Sequence, residues 1–479
     1  RPLLARGAGE AIRALSEKIE TERDPEKAST FRAMKRALEA AVMLAGRYAA
    51  LADEMAGTAS GDDLARLTRM RDALRKAPEG GATNLYEAIQ SFMILWQVMC
   101  AEQAPNPFAF SVGNADRIFE PYRTEEGLSR DEAAAYLSHL LVFFNVGDRS
   151  WAISQNLIVG GRDAEGNDLT NETSYALLDA YYGMNLPQPI LSVKLHKGTP
   201  EKLYREMGRF FFTPGCLTPS LFNDDSVFEV LRRGGVREAD LADYAIAGCQ
   251  EPLIMGRDNG NTTNTWLNLA KILELTLTGG VSLVTGEEIG NFVEPETPLA
   301  ALRSLRERFY KNLEGFLAEM ERAANGASRA VAHLPVPFLS AMMGGMESGY
   351  DMRDPVHQGT RYNGSGCLIH GLAVVADSFV AVDRLLAERP QDAEMLLPAL
   401  RANFEGYEEL RAFLRACPKY GENEAQPDGE AREIASRVSD MVASLKNYLG
   451  NPFRPDFSTP STHLLYGYWG GASPDARGS

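Results

Sequence analysis

Cys249 and Glu251 are the residues whose types and spacing best combine a reactive sulfur with a proton acceptor. They stand in Gly248-Cys249-Gln250-Glu251-Pro252, directly after the apolar run Tyr244-Ala245-Ile246-Ala247. That run predicts a short buried strand, and α/β folds place their reactive loops at strand ends. Gly248 relaxes the backbone before the sulfur, and Pro252 stiffens it afterwards. In an extended segment residues two apart project to the same side, so the spacing predicts a thiol and a carboxylate facing one pocket. The sulfur would abstract or attack and the carboxylate would take up a proton. The competing reading is the ordinary fate of a free cysteine, which is burial as a small apolar group.

The remaining chemistry-bearing residues assemble no rival site. Cys100 lies on an apolar helical stretch, Cys367 in a glycine-rich turn, and Cys216 beside Gly215 without a neighbouring acid, so all three read as packing thiols. The five cysteines are odd in number, widely spaced and without a CxxC, which fits neither a disulfide framework nor a zinc site. No metal is expected, and a reducing cytoplasm is the default compartment. A Cys249–His196 hydrolase dyad stays open on residue types. It has no GxSxG elbow beside it, and the chain has no P-loop, no GxGxxG after a strand and no HExxH. Lys plus Arg number 49 against 65 Asp plus Glu, a net charge of −16. That balance excludes nucleic acid or an anionic membrane as main partner, because phosphate is bound through clustered cations. No apolar run approaches the roughly 18 to 20 residues that span a bilayer.

The elements that must position Cys249 follow from periodicity. Residues 9–78 place apolar side chains at helical spacing (Ile12, Leu15, Ile19; Leu64, Leu67, Met70, Leu74). Residues 84–103 predict an apolar helix capped by Asn84 with Glu87 three residues on, and Ser129 to Glu132 is a capping box opening a helix to about 144. Strands are expected at 108–112, 155–159, 189–195, 220–222, 244–247 and 336–342. Helices are expected at 170–184, from Thr199-Pro200-Glu201 onward, and at 226–234, 265–279, 298–325 and 367–386. Short apolar strands alternating with helices mean crossover connections and a sheet buried on both faces, an α/β barrel. The reading is one domain: a helical N-terminal layer over 1–80 and a barrel core over 81–479.

Gly-Cys-x-Glu-Pro at 248–252 resembles the active-site cysteine motif of the glycyl radical enzymes, the pyruvate formate-lyase superfamily, in particular the dehydratase and decarboxylase types. Ser111-Val112-Gly113, Asn156-Leu157-Ile158-Val159-Gly160-Gly161, Pro219-Ser220-Leu221-Phe222-Asn223-Asp224 and Gly371-Leu372-Ala373-Val374-Val375-Ala376-Asp377-Ser378 extend the likeness. So do Pro418-Lys419-Tyr420-Gly421 and Gly470-Gly471-Ala472-Ser473-Pro474-Asp475-Ala476-Arg477, and the resemblance covers roughly 81–479. It implies a ten-stranded α/β barrel of two antiparallel-placed half-sheets, with the cysteine dry on a finger loop inside. It also implies a glycine radical, installed by a radical-SAM activase, that oxidises Cys249 to a thiyl. The thiyl would take hydrogen from a small-molecule substrate while Glu251 serves as acid/base. The reaction implied is elimination of a C–O or C–X bond, with decarboxylation as the alternative and a non-catalytic paralogue or partner subunit as a third reading. The family admits a homodimer.

Two departures shape the expectation. No Arg-Val-x-Gly-Tyr-type glycine motif follows, and the chain opens on Arg1, so it reads as a piece of a longer protein with the radical glycine outside it. The stretch Pro107-Phe108-Ala109-Phe110 is apolar where diol dehydratases place polar contacts. Phe108 and Ala109 are thus expected to line a pocket for a more apolar substrate, with Gln155, Thr262 and Trp266 as further pocket residues. A single cysteine preceded by glycine disfavours the transferase reaction, which uses two adjacent cysteines.

Overall fold

The computed structural model describes residues 2–103, 109, 111–146, 154–261, 264–290, 297–458 and 464–478. It divides into two compact units, Arg1–Gly260 with Ala332–Asn363, and Asn261–Val331 with Gly364–Ser479.

The first unit opens on the expected helices, Ala8–Thr21, Pro25–Ala56, Gly61–Lys76 and Leu85–Glu102. Asp24 caps the second by accepting the Glu26 N–H at 2.9 Å, with Pro25 in the first turn where its missing N–H costs nothing. Ala41, Ala45, Ala49 and Ala52 are buried along that helix at spacings of three and four, a stripe of small side chains that admits close neighbours. Asn84 accepts the Glu87 N–H at 2.9 Å as expected, while Glu87 turns back to the Thr83 N–H at 2.8 Å and not to its cap. Replacing Asn84 with Ala should cost about 1 kcal/mol, seen as a lower urea midpoint without a change in slope.

Four parallel strands follow in chain order: β1 (Gly113–Asn114), β2 (Asn156–Gly160), β3 (Ile190–Leu195) and β4 (Ser220–Asn223). Helices Glu172–Met184 and Glu201–Phe212 make the crossovers after β2 and β3. All five residues of β2 are buried, as a strand covered on both faces requires. The expected strand at 108–112 lies largely outside the described residues; Val112 donates to the Asn156 carbonyl at 2.9 Å, and strand pairing starts at Gly113. Next come β5 (Tyr244–Ala247) and β6 (Glu251–Ile254), an antiparallel pair.

The second unit is built on a three-stranded parallel sheet in the order β7 (Thr265–Asn268), β8 (Ser365–His370), β9 (Phe453–Phe457). Helices Leu269–Thr278, Leu305–Val331, Leu372–Glu388 and Ala425–Ser444 bury their apolar faces in its core.

Three expectations are corrected. The helix expected at 265–279 begins as β7 and turns helical only at Leu269, where Asn268 caps by accepting the Lys271 N–H at 3.1 Å. The helix expected at 367–386 is β8 followed by Leu372–Glu388, with Gly371 as pivot. Gly371 has φ +86°, and a Cβ there would lie 2.8 Å from the Ala270 nitrogen, so both backbone angle and space demand glycine. The strand expected at 336–342 is the short helix Pro337–Met342; a brief apolar run carries no period, and Pro337 starts a helix more readily than it joins a sheet. Among the described residues no helix is long and apolar enough to cross a membrane.

Candidate active site

Ala247 pairs with Glu251, which leaves Gly248, Cys249 and Gln250 as a three-residue hairpin turn. Cys249 thus sits at the tip of a two-stranded finger and not in a single extended segment, so the expected same-side projection does not apply. The carboxylate still reaches the turn by another route. Glu251 Oε2 accepts the Gln250 N–H at 3.1 Å, and the Cβ that Gly248 lacks would stand 3.4 Å from the same oxygen. Gly248 holds φ +59°, so the turn needs glycine for its angle as well as for the room it leaves the carboxylate.

Of the five cysteines Cys249 alone is exposed; Cys100, Cys367 and Cys417 are buried and Cys216 is half-buried. The packing role expected of Cys100 and Cys367 agrees with their burial, and that burial pushes both thiols up, Cys100 to about 12 and Cys367 to about 11. The described residues do not enclose Cys249 as expected: it is exposed at the hairpin tip.

The other expected site residues divide. Ala109 comes to the turn, its Cβ 3.1 Å from where a Gly248 Cβ would be. Gln155 is fully buried just before β2, its N–H donating to Gln188 Oε1 at 3.0 Å and its carbonyl accepting the Ile190 N–H at 2.6 Å. Phe108 and Thr262 lie outside the described residues. Trp266 belongs to β7 of the second unit, 45% exposed, with its ring 5.5 Å from that of His370. That unit holds a cavity of about 290 Å³ at the carboxyl ends of its strands, lined by Asn268, Lys271, Glu274, His370 and Ser458 among others; Trp266 does not line it. His196 is no partner for a hydrolase dyad. Its Nδ1 accepts the Gly198 N–H at 3.1 Å, so its Nε2 carries the proton and donates to Asp168 at 3.1 Å. A separate trio, Glu26, Asp354 and His357, places three possible metal-ligand atoms within 4.8 Å of one another, away from the hairpin in sequence.

The residues that hold the hairpin were not singled out from the sequence. Asn156, one residue past the expected Gln155, donates through Nδ2 to the Gly248 carbonyl at 3.0 Å and to Ser192 Oγ at 2.9 Å. At the other end the Tyr244 carbonyl accepts from Lys194 Nζ at 2.5 Å and Asn114 Nδ2 at 3.0 Å, and the Tyr244 hydroxyl donates to Asp224 at 2.5 Å. Lys194 is 1% exposed. The available signal was a lysine inside a run otherwise read as a buried strand.

Burial first, and then the nearby Arg117 charge, depress Lys194 to about 7 from the ordinary 10.5, against the opposing pull of Asp224, Asp116 and Asp243. Below pH 7 both folded and unfolded chains hold that proton. Above it the unfolded chain keeps a proton that the folded chain has released, so stability rises with pH from about 7 toward 10. Urea midpoints at pH 6.5 and 9 should show this gain, and Lys194→Met should lack that part of it.

The first unit is thus a parallel-stranded α/β unit that carries a thiol at the tip of a finger, with a glutamate folded against the turn. The chain belongs to the pyruvate formate lyase-like family, whose model matches residues 1–467. It is similar to the trans-4-hydroxy-L-proline dehydratase of Clostridioides difficile, 28% identical across 94% of this chain and 59% of that enzyme. It is also similar to the isethionate sulfite-lyase of Oleidesulfovibrio alaskensis, 27% identical across 92% of this chain and 55% of that enzyme. The chain thus spans less than two thirds of the length of these relatives. The glycerol-bound B12-independent glycerol dehydratase of Clostridium butyricum superposes with a TM-score of 0.90 at 28% identity, covering 100% of this chain and 62% of that one. The fold is therefore the α/β fold of the glycyl radical enzymes, as the motif resemblance implied.

Proposed function

We propose that this chain is the thiol-bearing core of a radical lyase that removes a leaving group from the carbon next to a hydroxylated one. The observation that carries the reading is the exposed Cys249 sulfur at the hairpin tip, with the Glu251 carboxylate folded onto the same three-residue turn. At the hairpin tip Cys249 stands clear of the packed cores that hold Cys100, Cys367 and Cys417, within reach of a bound molecule. A glycine radical, placed by a radical-SAM activase, supplies the single oxidising equivalent.

Cys249, as a thiyl, takes a hydrogen atom from the hydroxyl-bearing carbon and becomes S–H. Glu251 takes the hydroxyl proton, and the resulting ketyl pushes its electron into the neighbouring C–X bond. That bond breaks with the pair on X, the ketyl oxygen becomes a carbonyl, and the unpaired electron moves to the carbon that lost X. This carbon recovers a hydrogen atom from Cys249, regenerating the thiyl, while the proton on Glu251 leaves with X. The sum is loss of HX with no net oxidation, and the role of Glu251 is general acid/base catalysis. The Ala109 methyl group beside the turn supports a substrate less polar than a triol.

The complete gene product, activated without oxygen by a radical-SAM activase, should give a glycyl doublet in electron paramagnetic resonance. It should then release water or sulfite from a hydroxylated compound in a panel of vicinal diols and 2-hydroxysulfonates. A doublet with release of carbon dioxide from an arylacetate instead would favour decarboxylation. Absence of any doublet would favour the non-catalytic reading.

A further inference from the structure

Lys194 takes no part in the chemistry just described, yet the first unit is shaped around it. Its ammonium lies 2.6 Å from Asn114 Oδ1 and 2.5 Å from the Tyr244 carbonyl, and 3.8 Å from the centre of the Tyr244 ring. Gly161, at φ +91°, makes the room: a Cβ there would lie 2.7 Å from Lys194 Cδ and 2.7 Å from Asp224 Oδ2. Asp224 is itself buried and engaged by the Tyr244 hydroxyl at 2.5 Å and the Arg162 N–H at 2.9 Å.

Taking an ammonium out of water is unfavourable, and a methionine would fill similar volume without that penalty. Satisfying the Tyr244 carbonyl does not explain the charge either, since Asn114 Nδ2 already donates to it at 3.0 Å. What the lysine adds is a charge-assisted hold on one residue from two directions, its carbonyl and its ring. Tyr244 is the first residue of the hairpin. The far strand is tied down independently: Arg257, just past β6, pairs with Asp240, which also accepts from the Tyr362 hydroxyl at 2.6 Å. At the tip Asn156 donates to the Gly248 carbonyl from outside the hairpin, and Glu251 accepts the Gln250 N–H from within it.

We propose that Lys194 is a positioning residue for Cys249: its amine, clamped on the carbonyl and ring of Tyr244, sets how the hairpin lies against the four-stranded sheet and therefore where the sulfur stands. Cys249 matters in this way only on the reading of it as the reacting thiol. The first measurement below needs neither radical nor substrate, so a failed radical assignment would leave its result intact.

A nitroxide attached to Cys249, in a Cys216→Ser background so that the half-buried thiol does not compete, reports the motion of the hairpin tip. At pH 6, where Lys194 keeps its proton, Lys194→Met and Lys194→Gln should each shorten its rotational correlation time by about threefold or more, a local loosening. Arg130→Gln is the control, because it breaks the Asp179 and Glu206 pairs in the same unit and lowers stability away from the hairpin. Its label should move as in the parent. If Lys194→Met does not fold, Lys194→Gln, which keeps a neutral donor and loses the charge, decides alone. A rigid label in a folded Lys194→Gln chain, or equal loosening in Arg130→Gln, overturns the proposal. In the activated complete gene product, Lys194→Gln should lower kcat by about 10-fold or more while KM stays within about twofold, as a displaced reacting atom requires. A rise in KM at constant kcat also overturns it.

Discussion

Cys249→Ala should abolish turnover while leaving the glycyl doublet at parental amplitude. The two readouts separate because storing the radical requires only a glycine and its activase, whereas spending it requires a thiol within reach of substrate. Alanine at the tip of a three-residue turn demands nothing of the backbone that cysteine did not, and the exposed side chain leaves no cavity behind. Loss of activity in that variant therefore cannot be laid to misfolding, and melting curves of parent and variant should coincide. No other cysteine can stand in, since Cys100, Cys367 and Cys417 are buried in the cores of their own units and Cys216 is half-buried elsewhere in the fold. Retained turnover on an identified substrate would end the assignment. Serine at the same position gives a second check, because its O–H bond is too strong for the glycine radical to break, and it should be as inactive as alanine.

Glu251→Gln should slow elimination by about 10²-fold or more, with a smaller effect on substrate affinity. Glutamine keeps the size of the side chain and still offers its carbonyl oxygen to the Gln250 N–H, so the turn should hold. It cannot take the hydroxyl proton, and without that loss the substrate radical lacks the electron push that expels its neighbour. The effect should concentrate on poor leaving groups: water, which needs a proton to depart, should suffer more than sulfite. Equal slowing for both would place Glu251 in substrate binding or in holding the turn, and not in proton transfer.

The strand leading to the cysteine could be read from four apolar residues ended by a glycine, and β2 and β3 were legible for the same reason. The failures at 265–279 and 367–386 share one cause. A strand buried on both faces has no polar alternation, so when it runs into a helix within a residue or two the apolar pattern continues across the change. The cues were single residues, Asn268 as a cap and Gly371 as a left-handed pivot, and each also has an unremarkable reading. Within the site, the cysteine and glutamate were visible because their chemistry is local. The anchors were not: Lys194, Asn114, Asp224 and Tyr244 are far apart along the chain, and no spacing rule links them. At the start of β2 the residue expected to line a pocket is Gln155, and the hairpin anchor is its neighbour Asn156. In a strand that single step decides which face a side chain serves.

The close approach of Ala109 to Gly248 bears on how such an enzyme could diversify. Position 248 is held to glycine by its backbone angle and by Ala109, whose methyl group would lie 3.1 Å from any Cβ placed there. A lineage exploring new substrates therefore cannot add a side chain at 248, the residue next to the sulfur. Its variation should accumulate one layer further out, leaving the alanine–glycine contact as a fossil shared by descendants that no longer accept the same molecules.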